Sequence, residues 1–542
     1  MPISAPAVAY CVVALMVSTI ALTYATCVEE GHRQCPHLPH LPTISMTWED
    51  VPGNFVSRAV VSIVAWVLAS LHFVLWGPLQ GQTIRVCKWE VPVIALKWLG
   101  VVGAVCFSGV GAVCDADHDP MCEGDNTIHS IMAVVFLVTQ SAESVMLTHV
   151  TGHKRLALVI AVASVLLKLR WLPPSISPLC VVHALRTQPS ATEDQTILAI
   201  FEWADVALIL GFIAWFVPKH RQAYGFRLTA AGDAGNAARP TTATDDNAPP
   251  LFSLSARTIS LAVLGLLLLN LGICTPIYFA KGHVPHGTWP LMGELWTIKP
   301  NNWIARWSLM LMALSASLGH ALLNTLEKGN HRLWHALALV SLVGLGASGC
   351  IGANENHELH YLCSAVFLVG YDAYMLGKTI STLISRLCGG MLACVRGQRQ
   401  RPTGLCSLLV ALLVAVSASG LTALLLTTLL LRTAAPPTWL PLWCREIVSE
   451  IDSRPLWLPV LEWLNVALVG AFFVASILLH GGAAATAALT AGLLSAGDTT
   501  RARSRPRPPA EVANPKGGRV AALRVGPVSQ KGPAARLLLD YV

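Results

Sequence analysis

The sequence predicts an all-α protein, a polytopic transmembrane helical bundle of about 12 helices arranged as two parallel six-helix repeats. Charged residues make up 12 % of the 542 residues and apolar residues 54 %, whereas soluble domains carry roughly 25 % charged residues. The mean hydropathy is +0.58. The charges fall between apolar stretches of roughly 17 to 25 residues, the length that crosses a hydrocarbon core about 30 Å thick. Similar sequence blocks recur in the same order in both halves.

Each apolar stretch is expected to form one helix, because an open sheet edge leaves its backbone groups unsatisfied in lipid. The expected spans are 5–26, 56–79, 91–113, 126–150, 156–173, 195–217, 257–279, 303–325, 333–353, 357–380, 404–431 and 457–480. The fifth is the least regular, since Lys168 and Arg170 lie near its end. The resulting domains are a first six-helix module (1–218), a flexible cytosolic linker (219–252), a second six-helix module (253–482) and a disordered, basic, Pro-rich cytosolic tail (483–542).

Lys and Arg predict the orientation, because they concentrate in cytosolic loops. Basic loops such as those carrying Arg85 and Lys154 alternate with the loops 114–126 and 353–358, which hold neither residue type. Both termini are therefore predicted to be cytosolic. The first span is expected to be retained and not cleaved as a signal, since its start lacks basic residues. The net charge of +7 comes largely from the linker and tail, so no nucleic-acid partner is predicted.

An internal repeat marks one set of polar residues twice. PTISMTWEDVPGNFVSR at 42–58 and PLMGELWTIKPNNWIAR at 290–306 align at a constant offset of 248, which pairs Asn54 with Asn302 and Arg58 with Arg306. The same offset pairs His72 with His320 inside the next helix. Two later blocks pair His129 with His360 and Glu202 with Glu462. Since each copy has an even number of helices, the two copies should insert the same way round.

Ionisable groups inside membrane spans are functional candidates. The candidate lumenal polar site comprises Asn54, Arg58, His129, Glu202, Asn302, Arg306, His360 and Glu462. One interpretation is a pocket for a lipid headgroup, in which Arg binds phosphate and His with Glu supplies acid–base catalysis. The other is an Arg–Glu ion pair with a hydrogen-bonded His that locks the bundle. No nucleophile motif accompanies the set. The intramembrane His72 and His320 should lie about 21 Å deeper than the arginines.

Neither a metal site nor a cofactor is predicted. The acidic loop at 115–125 offers oxygen ligands that suit calcium, but it lacks the EF-hand spacing, and a solvated loop is the preferred interpretation. Cysteine pairs flank two of the predicted lumenal segments, Cys27 with Cys35 and Cys114 with Cys122. In an oxidising lumen each pair could close a disulfide, and the alternative is free thiols.

The order of these blocks resembles a known family. A Pro-rich segment ending in Pro-x-Asn leads into a helix with an internal His. A Gly-rich third helix follows, then a His at the start of the fourth and a Glu in the last. This pattern resembles the six-helix Frag/DRAM/Sfk superfamily, and within it the N-terminal domain of the CWH-forty-three protein and post-GPI-attachment-to-proteins factor two. The resemblance covers 5–217 and 257–480, and the chain differs in having two modules and no phosphodiesterase-like domain after 480.

The resemblance implies a protein of the endoplasmic reticulum or Golgi membrane, in preference to the endolysosome or plasma membrane. It implies remodelling or sorting of the lipid part of GPI anchors, with membrane lipids, GPI-anchored proteins and a separate catalytic protein as partners. Whether the chain is itself an enzyme stays open. The alternatives are a non-enzymatic membrane organiser or autophagy modulator of the DRAM type, and a transporter with parallel repeats.

Overall fold

In the part of the chain that the computed structural model describes, twelve helices of 15 or more residues make up most of the structure. The structure describes residues 3–29, 41–49, 51–86, 89–113, 125–168, 191–229, 252–282, 290–326, 332–395, 405–433, 457–479 and 488–493. The helices are α1 Ala5–Glu29, α2 Gly53–Leu75, α3 Val93–Ala112, α4 Asn126–Val150, α5 Lys154–Lys168, α6 Ala191–His220, α7 Ala256–Ala280, α8 Asn301–Leu326, α9 Arg332–Cys350, α10 His357–Val395, α11 Leu405–Thr433 and α12 Trp457–Leu479. A one-turn helix, Met292–Leu295, precedes α8.

These helices confirm the predicted all-α polytopic fold class, and each expected span coincides with one of them. Within the described residues, nine helices are long and apolar enough to cross a membrane. The helix α5 has only 15 residues. In α11 and α12 the apolar stretches within the described residues are shorter than this and run over 408–424 and 459–475.

The helices form two groups, α1–α6 and α7–α12. In each group, helices adjacent in sequence pack side by side, and the first helix packs against the sixth. Each group therefore closes on itself around its own apolar core. The two groups meet where α2 packs against α8 and α9, and where α3 packs against α8.

A four-stranded antiparallel sheet lies where the helical groups begin and end. The strands in chain order are β1 Ile3–Ser4, β2 Thr83–Val86, β3 Trp89–Pro92, β4 Tyr224–Thr229, β5 Phe252–Ser255 and β6 Ala488–Leu493. The sheet has the order β1-β4-β6-β5, while β2 and β3 form a separate hairpin. We call this side of the bundle the sheet end, and the side that carries the residues before α2, α8 and α10 the opposite end.

The sheet corrects the predicted linker and tail. The linker predicted over 219–252 contains the end of α6, β4 and the start of β5, and the tail predicted from 483 contains β6. The missed signal is alternation of apolar residues at Tyr224, Phe226 and Leu228, the period of a strand. The remaining residues of both segments, 230–251 and 494–542, lie outside the described part of the chain.

Candidate functional site

A buried carboxylate joins the two helical groups at the opposite end. Glu355, in the turn between α9 and α10, accepts hydrogen bonds from Arg58 Nη1 at 2.7 Å and from Arg58 Nη2 at 2.8 Å. Arg306 Nη2 donates to the same carboxylate at 2.6 Å. The side chains of Arg58, Arg306 and Glu355 are 2 %, 3 % and 0 % exposed. The three residues form one desolvated Arg–Glu–Arg cluster, which we call the arginine bridge.

Each arginine of the bridge also reaches the helix end of the other group. Arg58 Nη1 donates to the carbonyl of Cys350 at 2.8 Å, at the end of α9. Arg306 Nη1 donates to the carbonyl of Ala112 at 3.4 Å, at the end of α3. Carbonyls at a helix C-terminus carry partial negative charge. They therefore help to balance a cluster that holds two cations and one anion.

The carboxyl of Glu355 stays ionised in this setting. Burial pushes its pKa upward, but the nearby charges of Arg58 and Arg306 and the hydrogen bonds to the carboxylate outweigh burial and hold the pKa below its ordinary value. The backbone N–H of Gly352 also donates to it at 2.8 Å. The charged form is stabilised because every one of these partners is positive or donates a hydrogen bond.

His129 and His360 occupy matching places. The Nδ1 atom of His129 lies 2.7 Å from the carbonyl oxygen of Val113, and that of His360 lies 2.7 Å from the carbonyl oxygen of Ile351. A carbonyl only accepts, so Nδ1 carries the hydrogen in both rings. Each histidine thereby ties the start of a fourth helix to the end of the third.

Glu202 and Glu462 hold the segments that precede the second helices. Glu202 Oε1 accepts from Ser45 Oγ at 3.0 Å, and Glu462 Oε2 accepts from the backbone N–H of Met292 at 2.8 Å. The neighbouring indoles do the same, since Trp203 Nε1 donates to the carbonyl of Pro42 at 2.9 Å and Trp463 Nε1 to that of Pro290 at 3.1 Å.

An Arg–Glu ion pair is thus present at the opposite end of the described structure, and whether it locks the bundle stays a prediction. Arg58 and Arg306 pair with Glu355, a residue outside the predicted set. Glu355 reaches both arginines because its loop lies where the two helical groups meet. The repeat alignment could not predict this partner, because it pairs equivalent positions and says nothing about contacts between the two groups.

Within the described residues, the second helical group brings three predicted residues to one cavity. Asn302, Arg306 and His360 line a small cavity of about 10 Å³, the size that holds roughly one water molecule. Glu462 lines a larger neighbouring cavity of about 120 Å³. Trp296, Leu309 and Ser348 line both cavities. In the first group, Asn54 is buried and its amide atoms have no hydrogen-bond partner within the described residues.

The deep histidines have different surroundings. His72 Nδ1 lies 2.9 Å from Glu143 Oε1, and its Nε2 lies 3.2 Å from the side-chain nitrogen of Gln140. The indole N–H of Trp76 also donates to Glu143. All four side chains are buried. Sequence reasoning missed Glu143 and Gln140, although an acid inside an apolar span is a signal in itself.

His320 has aromatic neighbours instead. Its Nε2 lies 3.1 Å from the Tyr371 hydroxyl, and its Nδ1 lies 3.4 Å from Nδ1 of His335. The ring of Tyr374 packs edge-on at 4.9 Å. With His129 aligned to His360, Gln140 and Glu143 fall on Tyr371 and Tyr374. The carboxylate partner of the first group is thus a tyrosine in the second.

A second buried ion pair lies within the first helical group. Lys168 Nζ lies 2.9 Å from Asp205 Oδ1 and donates to Ser141 Oγ at 2.7 Å. This pairing explains how a lysine is accommodated at the end of the irregular fifth span. In the second helical group, Asn465 occupies the position that aligns with Asp205, and its Nδ2 donates to Thr422 Oγ1 at 2.6 Å.

The cysteine and metal predictions are only partly within the described chain. Cys27 is disulfide-bonded. Cys35, Cys114 and Cys122 lie outside the described residues, so the pairings Cys27–Cys35 and Cys114–Cys122 stay predictions. Among the residues that the structure describes, no group of three His, Cys, Asp or Glu side chains is placed to hold a metal.

Comparison with known proteins finds a similarity for the first helical group. The family model described as "Frag1/DRAM/Sfk1/Cwh43P N-terminal domain" matches residues 4–218. No curated protein and no solved structure is significantly similar to the chain. The match agrees with the resemblance inferred from the Pro-x-Asn, His and Glu blocks, and for 257–480 that resemblance stays a prediction. The chain is therefore a multi-pass membrane protein, and its residues 4–218 are similar to the Frag1/DRAM/Sfk1/Cwh43P N-terminal domain family.

Proposed function

We propose that this protein binds a membrane lipid at the opposite end of the bundle and presents or remodels it, with the lipid part of GPI anchors as the substrate class. The observation that carries the proposal is the pairing of two cavities in the second helical group. A small cavity lined by Asn302, Arg306 and His360 adjoins a larger apolar one. A polar recess beside an apolar one suits an amphiphile with a headgroup and a chain.

We further propose that the chain is a tandem duplication. Its support is paired geometry, since each of His129 and His360 bonds the end of the preceding helix. The indoles of Trp203 and Trp463 likewise bond the segment before the second helix of their own group. If the two halves had arisen independently, both contacts would have had to evolve twice in the same chain order, so duplication is the simpler explanation.

The proposed orientation places the opposite end in the lumen and both termini in the cytosol, in the endoplasmic reticulum or Golgi. Arg85, Lys154 and Arg332 lie at the sheet end, whereas the turn 353–358 at the opposite end has neither Lys nor Arg. This bias is that of cytosolic and non-cytosolic loops.

His360 and Glu462 are the residues to which we assign acid–base chemistry in this site. The guanidinium groups of Arg58 and Arg306 already hold Glu355, so a phosphate would have to compete with that carboxylate. With Nδ1 of His360 bonded to Ile351, Nε2 is the atom left to exchange a proton. A separate catalytic partner acting on GPI-anchored proteins is compatible with the same site, because lipid presentation needs no acid or base.

A non-enzymatic membrane organiser is the second candidate. One observation favours it: Arg58 and Arg306 pair with Glu355, so these buried charges already have a structural role. Such a protein would act through its shape and its lipid-facing surface, and the polar cavity would contribute only packing.

The test replaces His360 and Glu462 without removing their structural bonds. In His360→Asn, the amide N–H of the asparagine can still donate to the Ile351 carbonyl, and in Glu462→Gln the amide oxygen can still accept from Met292. Glu358→Gln is the control, since Glu358 is exposed in the same helix turn. GPI-anchor lipids are analysed by mass spectrometry in cells that express each variant in place of the wild type. We expect altered chain composition at normal protein abundance for the first two only. Unchanged lipids would favour the organiser.

A further inference from the structure

We infer that the second helical group, and not the first, holds one alkyl chain of a membrane lipid in the apolar cavity between α7, α8, α9, α10 and α12. This inference rests on the proposed lipid function and makes it specific, because it assigns the binding of the chain to one half of the molecule. The first group then serves as the scaffold to which the arginine bridge attaches the binding half.

The cavity has the size and lining of a hydrocarbon site. Its volume is about 120 Å³, close to the roughly 150 Å³ of an engineered apolar cavity that stays dry and binds benzene. Aliphatic and aromatic side chains form most of its wall, and its polar groups are few: Trp296, Ser348, Ser364, Tyr371 and Glu462. Water would find few hydrogen-bond partners there, so an alkyl segment is the favoured occupant.

The residues that line the cavity span about the depth of one leaflet. Along α12 its lining runs from Glu462 to Val474, and this separation corresponds to about 18 Å at a rise of 1.5 Å per residue. The hydrocarbon of one leaflet is about 15 Å deep. Glu462 marks the polar end, and there Trp296 and Ser348 also line the small cavity with His360. A chain in the cavity would therefore point its headgroup toward the polar recess.

The corresponding space in the first helical group is nearly filled. Its cavity measures about 30 Å³. The repeat alignment pairs the lining residues Leu68 and Leu210 with Ala316 and Gly470. Two leucine side chains of the first group are thus an alanine and a glycine in the second. The second cavity remains larger even though Met312 replaces a valine.

A route from the bilayer lies between α7 and α12. Gly470 on α12 faces Leu267 on α7, because a Cβ atom on Gly470 would lie 3.5 Å from Leu267 Cδ2. Both residues are half-buried, as are their neighbours Leu264 and Val466. All four line the cavity. Because these half-buried residues line the cavity and also border the seam between α7 and α12, we assign the entry of the chain to this seam.

Photo-crosslinking tests the inference. The full-length protein is reconstituted into phosphatidylcholine vesicles that contain a phosphatidylinositol with a diazirine at the end of one acyl chain. A parallel arm uses a free fatty acid with the same diazirine, which distinguishes a lipid-borne chain from a free one. Peptide mass spectrometry then locates the labelled residues. We expect label on cavity-lining residues of α8 and α12 and little on the matching positions of α2 and α6.

Substitutions that exchange the residues of the two halves give the decisive comparison. Gly470→Leu and Ala316→Leu should each lower the labelling of cavity residues about tenfold. This is the loss of affinity expected when about two methylene groups of the bound chain can no longer be buried. Gly265→Leu is the matched control, because Gly265 lies on α7 with open space around it, and its labelling should stay at the wild-type level. The reverse double variant Leu68→Ala/Leu210→Gly should gain label in the first group.

Unchanged labelling in both filled variants, with wild-type thermal melting, would overturn the inference. Equal labelling of the two wild-type groups would also overturn it. The proposed function is judged separately by the GPI-lipid profile of His360→Asn. If the lipid profile of His360→Asn changes but Gly470→Leu and Ala316→Leu label normally, the chain-binding site alone is refuted. If the lipid profile is normal but the two filled variants lose label, the GPI substrate is refuted and the chain-binding site stands.

Discussion

Arg58 and Glu355 lie 297 positions apart in the chain, yet two hydrogen bonds of 2.7 and 2.8 Å join their side chains in the interior. The same carboxylate accepts a hydrogen bond from Arg306. A single acidic residue of the second helical group thus forms an ion pair with one arginine from each group. Because the cluster is buried, removing the carboxylate leaves both cations in a medium that solvates them poorly.

Glu355→Gln should strongly destabilise the protein. The glutamine keeps the shape of the side chain but leaves two buried guanidinium groups without their counter-ion, a loss of about 3–5 kcal/mol by analogy with other broken buried ion pairs. Thermal melting of the purified protein in detergent measures the effect. Glu358→Gln serves as the control, as an exposed acid three residues away. Equal melting temperatures for the two variants would contradict the role assigned to Glu355.

The arginine bridge also predicts a pH dependence of stability. The pKa of Glu355 is lower in the folded protein than its ordinary value of 4.5, since the two arginines outweigh the effect of burial. A group whose pKa is lowered by folding stabilises the fold above its unfolded pKa and loses that contribution as the pH falls through the folded pKa. The difference in melting temperature between wild type and Glu355→Gln should be constant from pH 7 to about 5 and shrink below about 4.5. A difference that grows on acidification would be inconsistent with the ionised carboxylate.

The helices could be predicted from sequence because lipid imposes a length and a composition on each of them. The arginine bridge could not be predicted, because hydropathy places Arg58 at the start of a helix but does not say which loop of the protein contacts it. The offset of 248 paired Arg58 with Arg306, and both arginines lie in the same cluster. It suggested a partner in each arginine's own repeat, whereas the structure has one partner for both.

The sheet was missed for a different reason. Tyr224, Phe226 and Leu228 alternate as a strand does, but the segment is short and is followed by a run of Gly, Ala, Thr and Pro. Its strand partner β6 lies more than 250 residues away in the chain, and single-sequence patterns contain no information about such pairings. The difference in cavity volume between the groups was likewise invisible in the sequence, because it depends on the space enclosed by residues from five helices.

Gly100→Ala should destabilise the first helical group. A Cβ atom at this position would lie 2.5 Å from Nδ1 of His72, and the ring cannot easily retreat because Glu143 and Gln140 hold both of its nitrogens. Overpacking of this kind costs about 1–3 kcal/mol. Gly265→Ala is the control, since the same change there meets open space and removes a helix-interior glycine, which favours the fold by about 0.5–1 kcal/mol. Chemical denaturation in detergent should separate the two variants, and a neutral Gly100→Ala would show that His72 is free to move.

The ion pair of Lys168 and Asp205 should show strong coupling in a double-mutant cycle. Lys168→Met leaves the carboxylate of Asp205, which is 0 % exposed, without its cation and should cost about 3–5 kcal/mol. Asp205→Asn in the same chain should restore much of the loss, because the neutral amide needs no counter-ion and asparagine already occupies the matching position of the second group, at Asn465. Lys154→Met, an exposed change on the same helix, should leave the melting temperature near that of the wild type. If the two single losses simply add in the double variant, the lysine is stabilised by its stem and not by Asp205, and the charge of Asp205 must then be compensated elsewhere.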